Sequence, residues 1–228
     1  MDELRVLALH GYHGSADLLR AQLGPLAEAL RARVDFVYVD APSLAAGDFG
    51  WWHAGSDEAG ATRYRGWTRT RDWLRQFWRD NGPFDGVFGF SQGAALAALV
   101  AGSCASDAAA SAAGSCASDT AAGADGMRCD FAMMVGGFVS GDARHAPLYD
   151  ALRGQALPTL HIIGRADSIV SPARSQLLAR RFEQPLVLEH DGGHVIAATP
   201  HIRRETKAFL ERMAARAHER RQARADKP

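Results

Sequence analysis

Six short apolar runs punctuate the chain: Leu4–His10, Val34–Val39, Phe84–Phe90, Phe131–Phe138, Leu157–Ile163 and Leu186–His190. Most are near-continuous rather than alternating, which is the mark of strands covered on both faces in a parallel sheet. Between them the spacing predicts helices over Ser15–Arg31, Gly66–Asn81, Gln92–Ala101, Ala146–Leu152 and Pro172–Phe182. A last helix, Pro200–Arg221, opens with Thr199 as a cap and Pro200 at its first position. It sets Ile202, Phe209, Leu210 and Met213 on one face. Strand–helix alternation of this kind predicts one α/β domain with a mainly parallel, six-stranded, doubly wound sheet and helices on both faces.

Two segments break the rhythm. Residues 102–126 are almost wholly Ala, Ser, Gly and Asp, and Gly-Ser-Cys-Ala-Ser-Asp occurs twice, at 102–107 and 114–119. With no large apolar residue to bury, this stretch reads as a flexible surface insertion. Residues 203–228 hold nine basic and four acidic side chains. They read as a solvated helix face passing, from about 215, into a basic polar tail.

Composition narrows the function classes. Across 228 residues, 26 basic and 26 acidic side chains balance to a formal charge of zero, which argues against wholesale nucleic-acid binding. The +5 of residues 203–228 leaves −5 on the rest of the chain. Three cysteines are too few and too odd a number for a secreted disulfide scaffold, and they point to a reducing, cytoplasmic setting. Met-Asp-Glu at the start lacks the basic region of a signal peptide, and no stretch approaches the roughly 18 apolar residues of a membrane span, so no stable membrane insertion is expected.

The chemistry begins at Gly89-Phe90-Ser91-Gln92-Gly93, which closes the third run and opens a helix. A Gly-x-Ser-x-Gly turn in that setting lifts the serine hydroxyl above the carboxyl edge of the sheet. In a doubly wound sheet the first and third strands lie side by side at the switch point, where ligands bind. The loop after the first strand, His10-Gly11-Tyr12-His13-Gly14, then runs beside Ser91. The backbone amides of Tyr12 and Gln92 become candidates for an oxyanion hole. His10 and His13 supply too few ligands for a zinc site, and no metal or cofactor is expected.

A serine needs a general base, and the base needs an acceptor behind it. His194 lies in the loop after the last strand and Asp167 in the loop after the fifth, both at the carboxyl edge. Ser91, Asp167 and His194 follow the chain order of α/β-hydrolases. Asp191, three residues from His194, and Asp142, after the fourth strand, remain competitors for the acid. The glycines at 192 and 193 rule out the helix that His190 and His194 would need to share a metal.

The residues now carry a resemblance. Leu9-His10-Gly11-Tyr12, Asp40-Ala41-Pro42, Gly50-Trp51-Trp52 with Tyr64-Arg65-Gly66, and the run Gly82 to Ala94 resemble the FSH serine hydrolases of the α/β-hydrolase fold. Gly136-Gly137-Phe138, Gly164 to Asp167 and Gly193-His194 extend the likeness to essentially residues 4–212. It implies carboxylesterase chemistry on small acyl esters, with Ser91, Asp167 and His194 as the triad. An acyl-thioesterase or lysophospholipase-type hydrolase would use the same machinery, and a binding module would keep the pocket without turnover. The stretch from Asp40 to Tyr64 carries no strand signal. Its Trp51, Trp52 and Tyr64 either wall an acyl pocket or pack that loop onto the body. Phe138, Ile169 and Val170 beside Asp167, and Val195 and Ile196 beside His194 complete the expected substrate contacts.

Overall fold

The computed structural model describes residues 3–30, 33–43, 50–112 and 126–225. All six apolar runs form strands of one parallel sheet: β1 (Leu4–Leu9), β2 (Val34–Val39), β5 (Gly86–Phe90), β6 (Phe131–Val135), β7 (Thr159–Gly164) and β8 (Leu186–His190). Their order is β2-β1-β5-β6-β7-β8, so the winding reverses between β1 and β5. The sequence bounds ran past the true strand ends where glycine turns the chain, as at Gly136 with φ 57° after β6.

Side-chain alternation divides the core between the two faces. Leu4, Val6, Ala8, Phe88, Met133 and Ile162 pack under α1 (Ala16–Leu30) and α6 (Pro200–Ala225). Leu7, Leu9, Val87 and Met134 face α2 (Trp67–Asn81), α3 (Gln92–Ala112), α4 (Ala146–Asp150) and α5 (Pro172–Ala179). In α1 the buried residues are Leu19, Leu23, Leu26 and Leu30, the one-sided spacing of an amphipathic helix. The central helix α3 is different: Ala94, Ala95, Leu96, Ala97, Ala98 and Leu99 are all fully buried. Small side chains let its backbone sit close on β5 and β6.

Four expectations need correction. The stretch before Tyr64 holds an antiparallel hairpin, β3 (His53–Ser56) with β4 (Thr62–Arg65). Ala54, Gly55 and Ser56 are exposed, so no apolar pattern announced it. Its turn is made by Asp57, whose Oδ1 accepts the amides of Ala59 and Ala61 at 3.1 and 2.9 Å, and by Gly60 with φ 77°. The segment 102–126 begins as helix, because α3 continues to Ala112 with Ser103 and Cys104 buried; alanine carries it past the glycine and serines. Residues 113–125 lie outside the described residues. That long helix also overturns the expectation that no stretch is apolar enough for a span, since Gln92–Ala110 is, by length and composition. Its apolar character has a local cause, for most of it is buried against the sheet.

The C-terminal helix likewise outruns the expected tail at 215, running to Ala225 with Ala217 buried. Its basic residues are engaged. Arg220 pairs with Asp130, and Arg221 donates to Asp85 at 2.9 Å. Asp85 and Asp130 immediately precede β5 and β6, so the helix end clasps the amino edge of the sheet.

Candidate active site

The site is set by how closely β5 and α3 approach each other. A Cβ placed on Gly89 would stand 2.1 Å from the carbonyl oxygen of Gly93, and one on Gly93 would stand 2.1 Å from that of Leu9. No side chain fits at either position, which accounts for both glycines of the motif. Between them Ser91 takes the left-handed conformation, φ 55°. For a residue other than glycine this costs on the order of 1–3 kcal/mol, and it persists because the surroundings fix it. The Ser91 amide donates to Val135 O at 2.8 Å, anchoring the turn to β6.

The loop after β1 passes against the serine, for a Cβ on Gly11 would lie 3.3 Å from Ser91 Cβ. His10 builds this loop from beneath. Its Nδ1 donates to Gly11 O at 2.7 Å, its Nε2 accepts the Ala41 amide at 3.1 Å, and its carbonyl accepts Trp51 Nε1 at 2.8 Å. Burial lowers its pKa against the raising influence of the Gly11 carbonyl and Asp40. The ring is neutral, as one donating and one accepting nitrogen require. With both nitrogens engaged, His10 has none left for a metal. Among the described residues no group of three His, Cys, Asp or Glu side chains could hold a metal ion.

Gln92 does more than the sequence indicated. Its buried carboxamide accepts the Trp51 amide at 2.9 Å and donates to Trp52 O at 2.8 Å. It thereby bolts the Gly50–Trp52 segment to the start of α3. Nothing in the residue pattern marks this role, because the partners are backbone groups some forty residues away.

On the far side of Ser91, the loops after β7 and β8 are stitched together. Arg165 N donates to His190 O at 2.8 Å and Ala166 N to Gly192 O at 3.1 Å. Asp167 and His194 meet across this seam, Nδ1 donating to Oδ2 at 2.6 Å. The other carboxylate oxygen accepts the amides of Ile169 and Val170 at 2.9 and 2.8 Å. Burial works to raise the Asp167 pKa. The hydrogen bonds from His194 and the two amides outweigh it and hold the carboxyl below its ordinary value. The His194 ring lies against that of Phe90, centroids 4.8 Å apart, and over Gly136, where a Cβ would come within 2.9 Å of Cε1. The imidazole is thus packed on the residue that precedes Ser91.

The competing acids are elsewhere engaged. Asp142 caps the 3-10 turn Ala143–His145, takes Arg144 on both oxygens and accepts the Tyr64 amide at 3.0 Å. The Arg144 side chain, above all, holds its carboxyl well below the usual range. Asp191 is exposed and pairs with Arg165 at 2.8 Å. Neither contacts His194.

Of the expected substrate contacts, the structure leaves Ile169 and Val195 open at the sheet edge. Trp51, Trp52 and Tyr64 are buried and pack their loop onto the body, while Trp51 and Trp52 also line a cavity. Tyr64 stacks on Trp52 at 4.9 Å and accepts the Gly141 amide at 2.8 Å. Val170 is buried because its amide serves Asp167, and Phe138 is half-buried under Arg174. The exposed apolar residues of the edge are Ile169 and Val195, both expected, together with the side chain of Tyr12. Their loops, not their strands, present them.

With this geometry in place, comparison with known proteins is informative. A family model described as serine hydrolase (FSH1) matches residues 1–206. Similar proteins include Esterase OVCA2 of Xenopus tropicalis, 32% identical over 92% of this chain and 93% of that one. Another is Esterase CG5412 of Drosophila melanogaster, 30% identical over 87% and 70%. Among solved structures, Zea mays acyl-protein thioesterase 2 has a TM-score of 0.61 at 19% identity, covering 92% of this chain and 95% of its own. The Bacillus cereus carboxylesterase has a TM-score of 0.56 at 18% identity, covering 92% and 89%. At these identities the solved structures establish the shared fold, that of the α/β-hydrolases.

Proposed function

The chain belongs to the FSH1 serine hydrolase family, and from that premise we propose that it is a carboxylesterase in which Ser91 is the nucleophile, His194 the base and Asp167 the orienting acid. The observation that carries the assignment of the acid and base is the 2.6 Å hydrogen bond from His194 Nδ1 to Asp167 Oδ2. It lies at the same sheet edge as the left-handed Ser91. In this reading Ser91 Oγ attacks the acyl carbonyl while His194 Nε2 takes its proton. Asp167 keeps the Nδ1 proton in place and stabilises the imidazolium that forms. The amides of Tyr12 and Gln92 receive the developing oxyanion. His194 returns the proton to the departing alcohol, then activates a water that releases the acyl group from Ser91.

The apolar rim of Tyr12, Ile169 and Val195 supports an acyl substituent as the group that settles over the site. The esterase names of the similar frog and fly proteins support ester over other acyl bonds. Cys104 and Cys129, both unbridged, support a reducing, cytoplasmic setting. The test is labelling with a fluorophosphonate followed by turnover of p-nitrophenyl esters. Labelling should be lost in Ser91→Ala and sharply reduced in His194→Ala. A folded, unlabelled wild type would defeat the reading, and a strong preference for acyl-thioesters over matched esters would move it to a thioesterase.

A further inference from the structure

Behind Tyr12 lies a cavity of about 230 Å³ that the mechanism does not use. Its walls include Pro42, Ser43, Trp51, Trp52, Arg65 and Arg69. It adjoins the loop that carries Tyr12. Gly50, in its wall, lies so close to the Tyr12 ring that a Cβ there would come within 2.7 Å of it. Tyr12 also reaches His53, another wall residue, at 3.2 Å through its hydroxyl. One residue before Tyr12, Gly11 lies against Ser91, since a Cβ there would stand 3.3 Å from Ser91 Cβ. Tyr12 thus links the loop beside Ser91 to the wall of the cavity.

The two arginines set its chemistry. Neither guanidinium has a hydrogen-bond or ion-pair partner among the described residues. Arg63, two residues earlier on the same face of β4, pairs with Asp57 at 2.8 Å and approaches Asp142 at 3.8 Å. Arg71, two residues after Arg69, pairs with Asp72 at 2.7 Å. The neighbours are neutralised, and the two that border the cavity are not. Among the described residues no carboxylate lines the cavity, and α2 has no acid in its first turn. Two unpaired forks beside apolar indole edges suit a carboxylate or phosphate on a short apolar arm.

Resting on the esterase reading above, we infer that the preferred substrates are anionic esters, carrying a carboxylate or phosphate away from the scissile bond, and that Arg65 and Arg69 bind this group. The experiment compares p-nitrophenyl hexanoate with the p-nitrophenyl monoester of adipate, which differs by a terminal carboxylate. A second pair compares hexanoyl esters of a short diol with and without a terminal phosphate. In at least one pair the anionic member should show a kcat/KM about tenfold or more higher, the worth of one charge-assisted hydrogen bond. The pair in which it does so identifies carboxylate or phosphate as the group. The ratio should fall toward one in Arg65→Gln/Arg69→Gln, and at high salt. The same esters titrated calorimetrically into Ser91→Ala give the preference as a ratio of Kd values without turnover. Ratios near one in both pairs, or a preference that survives in the double variant with its fold intact by circular dichroism, would overturn the inference. Failure of the wild type to cleave any ester would instead strike the esterase reading, while the calorimetric ratio would still decide this one.

Discussion

His194 and Asp167 meet through a 2.6 Å hydrogen bond from Nδ1 to Oδ2, while the opposite carboxylate oxygen is held by the amides of Ile169 and Val170. The carboxylate is therefore fixed from both sides, and the imidazole inherits its tautomer from it. With the proton on Nδ1, the lone pair of Nε2 is the one available to a hydroxyl.

Asp167→Asn keeps the shape but presents an amide N–H to Nδ1, reversing that tautomer. Turnover of a p-nitrophenyl ester should fall by roughly three to four orders of magnitude, with the thermal midpoint little moved. Activity near that of the wild type would return the role to another carboxylate.

Gly136→Ala tests the platform under His194. The residue has φ 57°, and its new Cβ would come within 2.9 Å of Cε1 and 3.1 Å of Nδ1. The ring must move, and kcat should drop about 100-fold with KM nearly unchanged. A loss confined to KM would show that the imidazole had not shifted.

Gln92→Ala leaves the Trp51 amide and the Trp52 carbonyl buried without partners. Urea unfolding should show a loss of about 2–4 kcal/mol. The backbone amide of residue 92 survives, so kcat per folded molecule should stay within about tenfold of the wild type. A stability change under about 0.5 kcal/mol, the usual size for a surface substitution, would mean the carboxamide is not a bolt.

Acid should destabilise the fold through its buried histidines before it protonates the carboxylates. Burial lowers His161 to about 3 and, as the leading cause, His145 to about 4. Unfolded, each titrates near 6.5, so below that value the unfolded chain takes up protons that the native chain refuses. Stability therefore falls as pH drops from about 6.5 toward about 4, each group adding up to about 1.4 kcal/mol per pH unit. The Asp142 and Asp167 contributions, from lowered pKa values, are lost only at still lower pH. In His161→Leu the acid slope of the urea midpoint should lose about one proton. An unchanged slope would mean that His161 is already charged in the native state.

The six sheet strands were legible because burial on both faces leaves an unbroken apolar run. Ser91, Asp167 and His194 were legible because each sits in a loop straight after such a run. The hairpin β3–β4 was not, since its residues are small or polar and face water. Trp51 and Trp52 allowed two readings because composition cannot tell an indole that faces a pocket from one packed on the body; the Trp51 indole donates to His10 O, that of Trp52 stacks on Tyr64, and both residues also border a cavity. The helical start of 102–126 was hidden by its glycine and serines, whose poor propensity is overridden by packing against β6 and α4.

The contacts at Gly89 and Gly93 carry a consequence for tolerance to change. Where β1, β5 and α3 meet, main chain rests on main chain, with no side chain between to act as a spacer. Rotamer shifts or methyl-sized substitutions among the leucines and alanines nearby cannot alter that separation. The height of Ser91 above the sheet is thus insulated from drift in the core, and the chain is free to vary its hydrophobic interior and its rim while Ser91 stays where the peptide backbone puts it.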